Sequence, residues 1–259
     1  QQLMESGGKR LRPAITLLVA RALHAETAQA LTLAAAVELL HTATLVHDDL
    51  IDGALLRRGM PTLNADWSPA ATILTGDYLF ARAASLAART GSVRVMQLFA
   101  KALMTIVNGE ISQMLGEETA GSDRDIYYRR IDAKTASLFA LCTEAAAVIA
   151  GVPEEVIVTM RRFGLLVGMD FQIVDDVLDF VSSEEHLGKP VGDDLRRGLL
   201  TLPALYFIEQ HPSREGVAQI RNREPISKVL LDGLVEDIKQ SSAVQDALEE
   251  ACTFIRQSQ

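Results

Sequence analysis

Six aspartates in two matching groups are the residues of this chain best suited to chemistry: Asp48, Asp49 and Asp52, and Asp175, Asp176 and Asp179. Each group is an Asp-Asp-x-x-Asp set in an apolar helical run, so its first and last carboxylates lie one turn apart on one face. Like charges at that spacing cost a surface helix about 0.2–0.5 kcal/mol per pair, and more once desolvated. The neighbours Leu45, Val46, Leu50 and Ile51 in one copy, and Phe171, Ile173, Val177 and Phe180 in the other, predict substantial burial. Nothing local neutralises the six charges. Clustered oxygen donors call for a hard cation. Magnesium, which takes a few carboxylates and completes its octahedron with water and phosphate oxygens, fits best. One such motif alone would read as a solvated acidic face. Two copies in apolar helices predict a helical cavity where several metal ions hold a diphosphate.

Lys9, Arg10, Arg12, Arg57, Arg58, Lys134 and Lys189 fall in loops or at helix ends, near glycines. Singly, each would be a surface charge. A glycine beside a cation, however, lets backbone N–H groups approach a phosphate while the side chain supplies charge. Together they suit two diphosphates, one held through metal and one by bases alone. The phosphate loop G-x-x-x-x-G-K-[ST], the dinucleotide G-x-G-x-x-G after a strand, H-E-x-x-H and G-x-S-x-G are all missing. His47 reads either as a ligand or general base, or as a packing group beside the motif. Magnesium's preference for oxygen favours the second.

The elements that must position these residues are helices. Apolar periodicity predicts them at Ala14–Leu23, Ala28–Asp52, Ala70–Arg89, Val93–Glu117, Asp123–Ala150, Glu154–Phe180, Thr201–Gln210 and Ile226–Gln257. Both Asp motifs end their helices, against the macrodipole, which bound metal would offset. With 48% hydrophobic but only 5% aromatic residues, the chain has the composition of close-packed helices, and few or no strands are expected. The expected fold is all-α: a single large helical bundle around a deep central cavity, with both motifs at its mouth. No linker divides residues 1–259, so one domain is expected, incomplete at both termini because the chain starts near a glycine turn and stops inside a helical pattern near Phe254. A net charge of −9 excludes nucleic acid as a partner. The longest apolar stretch, Leu31 to Val46, is interrupted by Glu38 and His41, so no transmembrane segment or signal peptide is expected. Cys142 and Cys252 have no partner at metal or redox-motif spacing and predict buried free thiols in a reducing cytoplasm.

Five stretches in order resemble the trans-isoprenyl diphosphate synthases (polyprenyl synthetases) of medium- to long-chain type, across essentially the whole chain. They are Gly7-Gly8-Lys9-Arg10-Leu11-Arg12-Pro13, His47 through Thr62, the dyad Lys134-Thr135 that breaks a helix, Gly168 through Phe180, and Gly188-Lys189-Pro190. The resemblance implies that Asp48, Asp49, Asp52, Asp175, Asp176 and Asp179 hold magnesium, three ions with substrate bound, on an allylic diphosphate. It implies that Arg57, Lys134, Thr135, Gln172 and Lys189 contact that same substrate. Lys9, Arg12, His41 and Arg58 would bind isopentenyl diphosphate without metal, with Gly8 giving close backbone approach. Metals and bases would stabilise the departing diphosphate, and Thr135 and Gln172 would present oxygen dipoles to the allylic cation. The isopentenyl double bond attacks, and the departing diphosphate takes the lost proton, so no protein general base is needed. A homodimer is implied as well.

Two positions depart from the family pattern. Gly198 is followed by Leu199 rather than Lys, which loses one diphosphate contact unless Arg196 or Arg197 replaces it. Asp170 stands where a small apolar residue is usual, and is either a water or metal contact or a side chain facing a neighbouring helix.

Product length follows from the positions four and five residues before Asp48, where family members with short products carry bulky aromatics. Here these are Thr44 and Ala43, with Leu40 and Leu39 a turn further. One helical turn rises about 5.4 Å, comparable to one isoprene unit. Met104 and Val107 are the expected deeper floor. Products in the hexaprenyl-to-decaprenyl range are expected. The alternatives are a geranylgeranyl or farnesyl diphosphate synthase, a class I terpene cyclase, or a non-catalytic synthase subunit. A cyclase replaces the second Asp motif with an Asn/Asp-Ser/Thr-Glu pattern, and a non-catalytic subunit loses metal ligands; this chain does neither.

Overall fold

The computed structural model describes residues 8–57, 59–115, 122–182, 190–222 and 224–258. Their order is α1 (Leu11–Ala22), α2 (Thr27–Ile51), β1 (Leu56–Arg57), β2 (Met60–Pro61), α3 (Leu63–Asp66), α4 (Pro69–Ala88), α5 (Val93–Leu115) and α6 (Asp123–Ile131). A π-helix (Asp132–Ala136) joins α6 to α7 (Ser137–Ala150), and α8 (Glu154–Val181), α9 (Asp193–Arg196), α10 (Leu202–Gln210), α11 (Val217–Arg221), α12 (Lys228–Gln240) and α13 (Ala243–Ser258) follow. The fold is all-α, as expected. Among the described residues the only sheet is the antiparallel β1–β2 ribbon, which pairs Leu56 with Pro61 and Arg57 with Met60.

The chain divides into two compact units, one comprising residues up to Asn108 with Ala136–Leu165, the other Gly109–Thr135 with Leu166–Gln259. In the first, α2 packs along α4, and α1 packs on both α2 and α7. Leu33, Val37 and Leu40 form a fully buried stripe on α2 at helical spacing. They meet Ala83 and Ala87 of α4, Phe99 of α5, and Leu138, Cys142 and Ala145 of α7 in one cluster. Each buried Leu or Val contributes about 1.5–3 kcal/mol, and the alanines let helices approach closely enough to exclude voids. The contact of α8 with α7 needs the bare backbone of Gly164, where a Cβ would lie 2.2 Å from Thr143 Oγ1 and 2.5 Å from the Phe139 carbonyl oxygen. Thr143 Oγ1 donates across that contact to the Met160 carbonyl at 2.6 Å.

The second unit is centred on Phe180, Leu195, Phe207, Ile208, Leu234 and Ile238, with α10 packed on α13. A capping box between Ser122 and Asp125 starts α6. Arg124 then ties α6 to α10 through two bonds to Glu209, at 2.7 and 2.6 Å. Tyr128 and Tyr206 both donate to Glu250 of α13. These anchors matter because α6 carries a residue of the site.

Three expectations need correction. The helix expected over Ile226–Gln257 is two helices, because Ser241 is extended and its hydroxyl accepts from Ala243 N at 3.2 Å, capping a new start. The helix expected over Asp123–Ala150 contains a π turn. Cys252 is exposed, on the open face of α13, whereas Cys142 is buried, which pushes its thiol up to about 11. Thr27–Ile51 and the run Asp123–Ala150 are long and apolar enough to cross a membrane, but 50% and 61% of these windows are buried, so core packing accounts for their apolar character.

Candidate active site

The first Asp motif occupies the last turn of α2, with Asp52 as its C-cap. Asp48 is half-buried and Asp52 exposed, while Asp49 is 8% exposed. The chain then turns back through β1, closed by Thr62 Oγ1 donating to the Ala54 carbonyl at 2.6 Å. That return brings Arg57 Nε to Asp49 Oδ1 at 2.8 Å. Burial pushes the Asp49 carboxyl up, and Arg57 partly offsets it. The expectation that nothing local neutralises the carboxylates is therefore wrong for Asp49, and Arg57 holds an aspartate of the motif. His47 turns toward α4, where its Nε2 donates to the Ile73 carbonyl at 3.2 Å and lies 3.5 Å from Asp77. Its ring sits 5.3 Å from that of Phe80 and fills the space left by Gly76. His47 packs beside the motif.

In α8 the second motif shows a similar division. Asp175 is exposed, whereas Asp176 and Asp179 are 4% and 3% exposed. Asp176 Oδ2 accepts from the Tyr127 hydroxyl at 2.8 Å, and Oδ1 from Gln172 Nε2 at 2.8 Å. Thr135 Oγ1 in turn donates to Gln172 Oε1 at 2.6 Å. Burial pushes the Asp176 carboxyl up to about 7, opposed by those two donors. Asp179 accepts from the backbone N–H of Asp194 at 3.2 Å, at the start of α9.

Thus Asp48, Asp52 and Asp175 are the accessible carboxylates, and Asp49, Asp176 and Asp179 are buried on internal donors. Among the described residues, no three acidic, Cys or His side chains are already gathered to hold a cation. The donor set still fits magnesium: all are oxygens, and a hard ion takes its other ligands from water and phosphate.

Of the expected basic contacts, Lys134 lies in the π turn with its Nζ 2.7 Å from Glu110, and Thr135 beside it is 5% exposed. Arg12 Nη1 donates to His41 Nε2 at 3.1 Å and its guanidinium stacks 4.8 Å from the Phe139 ring centre. Gly8 and Lys9 are exposed, and the left-handed residue of this turn is Arg10, which pairs with Glu38. Arg58 and Lys189 lie outside the described residues. Arg196 is engaged by the Val191 carbonyl and Asp232, while Arg197 is exposed beside Leu199. Burial pushes the Asp170 carboxyl up.

Among the expected length-setting residues, Ala43 is fully buried and Thr44 half-buried, its hydroxyl donating to the His41 carbonyl at 2.8 Å. Met104 and Val107 are 61% and 43% exposed, because α5 buries its other face through Phe99, Ala102 and Ile106. Sequence reasoning missed Tyr127 and Glu110. The available signal for Tyr127 was its place two helical turns before Lys134, on the face that meets α8.

Comparison with known proteins places this geometry. The family model described as polyprenyl synthetase matches residues 1–238. The chain is 40% identical over 243 residues to heptaprenyl diphosphate synthase component 2 of Geobacillus stearothermophilus, covering 94% of this chain and 75% of that protein. It is 38% identical over 255 residues to octaprenyl diphosphate synthase of Haemophilus influenzae, covering 96% and 77%. Polyprenyl synthase of Caulobacter crescentus, solved with calcium and isoprenyl diphosphate, superimposes with a TM-score of 0.89 at 38% identity, covering 98% of this chain and 78% of that one. The all-α fold and these matches define the class as an isoprenoid synthase. The chain belongs to the polyprenyl synthetase family and is a prenyltransferase.

Proposed function

We propose that this enzyme condenses isopentenyl diphosphate head-to-tail with an allylic diphosphate, repeatedly, to make an all-trans polyprenyl diphosphate of hexaprenyl to decaprenyl length. The observation that supports this most is the division within the Asp motifs, where accessible carboxylates stand beside buried ones fixed by internal donors. That is a preorganised oxygen-donor set. Asp48, Asp52 and Asp175 would hold magnesium, three ions with substrate bound. When bound it neutralises the charge that develops on the departing diphosphate. Arg57, held by Asp49, and Lys134, held by Glu110, would exchange those carboxylates for that diphosphate. Arg12 and His41, already paired, receive isopentenyl diphosphate. Thr135 and Gln172 would face the allylic cation with oxygen dipoles; the isopentenyl double bond adds to that cation, and the new cation loses a proton to the departing diphosphate to form the product double bond. Water must be excluded, because it would trap the cation first.

Ile73, Leu74 and Tyr78 on α4 and Met104, Val107, Ile111 and Met114 on α5 are exposed apolar residues, which supports a homodimer. A reducing, cytoplasmic setting agrees with two free thiols. The decisive measurement is incorporation of labelled isopentenyl diphosphate with and without magnesium, with chromatography of the products. Long all-trans products that require magnesium support the proposal. A cyclised hydrocarbon, or no incorporation by the chain alone, would reject it in favour of a cyclase or a non-catalytic subunit.

A further inference from the structure

We infer that Tyr127 is a positioning residue for the condensation, acting on Gln172 through Asp176; this rests on the prenyltransferase reading above. Thr135, Gln172, Asp176 and Tyr127 form one continuous run of hydrogen bonds within a single unit, at 2.6, 2.8 and 2.8 Å. Its polarity is uniform. Thr135 donates to the Gln172 carbonyl, the Gln172 amide donates to Asp176, and Tyr127 donates to the other oxygen of Asp176. Every hydrogen therefore points toward Asp176, and the lone pairs of Thr135 and Gln172 are left at the far end. Lone pairs are what an allylic cation needs. An amide turned end over end would present hydrogens instead and raise the barrier.

What prevents the turn is the plane of the Asp176 carboxylate. Gln172 and Asp176 are one turn apart on α8, so their contact alone leaves the carboxylate able to rotate. The Tyr127 hydroxyl, arriving from α6, pins Oδ2 and so aims Oδ1 at the Gln172 amide nitrogen. Tyr127 itself has no freedom. It is 1% exposed, its ring meets Tyr128 edge-on at 5.4 Å, and Arg130 lies 5.5 Å over its face while donating to the Leu200 carbonyl. Such a rigid aromatic serves for orientation; nothing places it against substrate.

The test is Tyr127→Phe, which keeps the ring and removes the hydroxyl. The turnover number should fall on the order of ten- to a hundredfold, with both Michaelis constants and the manganese affinity changed less than about twofold. In a Gln172→Leu background the same substitution should cost no more than about twofold, because there is no amide left to orient. A crystal structure of Tyr127→Phe should show the Gln172 amide turned away from Asp176. Wild-type turnover in Tyr127→Phe, multiplicative losses in the double variant, or weakened manganese binding that accounts for the loss would each overturn the inference. So would an unmoved Gln172 in the crystal, which is read without any activity. A wild-type protein that incorporates no isopentenyl diphosphate would instead reject the prenyltransferase reading.

Discussion

Replacing Gly76 by alanine tests how His47 is held beside the first Asp motif. Gly76 is buried in the middle of α4, and a Cβ built there lies 2.2 Å from His47 Nε2 and 2.4 Å from Cδ2. The imidazole must move by more than 1 Å to restore an ordinary contact, off a site where it donates to the Ile73 carbonyl and packs on Phe80. Overpacking of this kind costs about 1–3 kcal/mol, and losing the hydrogen bond about 0.5–1.5 kcal/mol. Against this, alanine gains roughly 1 kcal/mol over glycine inside a helix. The net expectation is destabilisation by about 1–3 kcal/mol, or a melting temperature lower by roughly 2–10 °C for a chain of this size. Because His47 adjoins Asp48, turnover should fall as well. Urea unfolding of the metal-free protein gives the magnitude, and the double variant His47→Ala with Gly76→Ala tests the cause. With the ring gone the alanine methyl has room, so the double variant should be more stable than the sum of the singles by at least about 1 kcal/mol. A Gly76→Ala protein as stable as wild type, or strict additivity, would refute the steric argument.

Asp48→Ala and Asp175→Ala should abolish turnover while leaving the metal-free melting temperature within a few degrees of wild type, since both carboxylates are accessible; Asp49→Ala should also lower stability, by stranding Arg57. Ala43→Phe should shift products toward geranylgeranyl length, read by chromatography; unchanged product length would remove Ala43 from the length-setting wall. The Asp176 pKa of about 7 lies above the unfolded value of 3.8, so its contribution to stability is complete below about pH 4 and lost as pH rises through 7. Metal-free wild type should therefore lose stability relative to Asp176→Asn across that window, by up to roughly 4 kcal/mol in urea midpoints; parallel curves would show that Asp176 is already ionised. Thiol reagents should label Cys252 at once and Cys142 only on unfolding, as followed by mass spectrometry.

The helices were legible where a stripe such as Leu33, Val37 and Leu40 kept one period over many turns. They were misjudged where a local side chain overrides the pattern, as Ser241 does between α12 and α13. The π turn was visible only as the Lys134-Thr135 dyad, because widening a turn by one residue changes geometry without needing a breaker such as Pro or Gly. The aspartates announced themselves through spacing. Their unequal burial did not, since Asp48 and Asp49, or Asp175 and Asp176, are adjacent in sequence and face different surroundings only after packing. Partners such as Tyr127 for Asp176 or Glu110 for Lys134 lie far along the chain, with no periodicity linking them. Met104 and Val107 fit an apolar stripe on α5, but a stripe says only that a face is apolar; this helix has one for the core and another exposed.

The π-helix at Asp132–Ala136 carries a consequence for descent with modification. Deleting one residue there would let α6 and α7 join in ordinary helical register, which by itself is favourable. Every later residue of α7 would then turn by about 100°. Leu138, Phe139, Cys142, Ala145 and Ala146 would rotate out of the core together, and Thr135 would leave Gln172. A lineage that once acquired the extra residue, and built a core and a hydrogen-bonded run on the shifted register, could not lose it by any single step that leaves a folded enzyme. The bulge acts as a ratchet, so a change in the number of those five positions should be tolerated no better than a substitution of Lys134 or Thr135 within them.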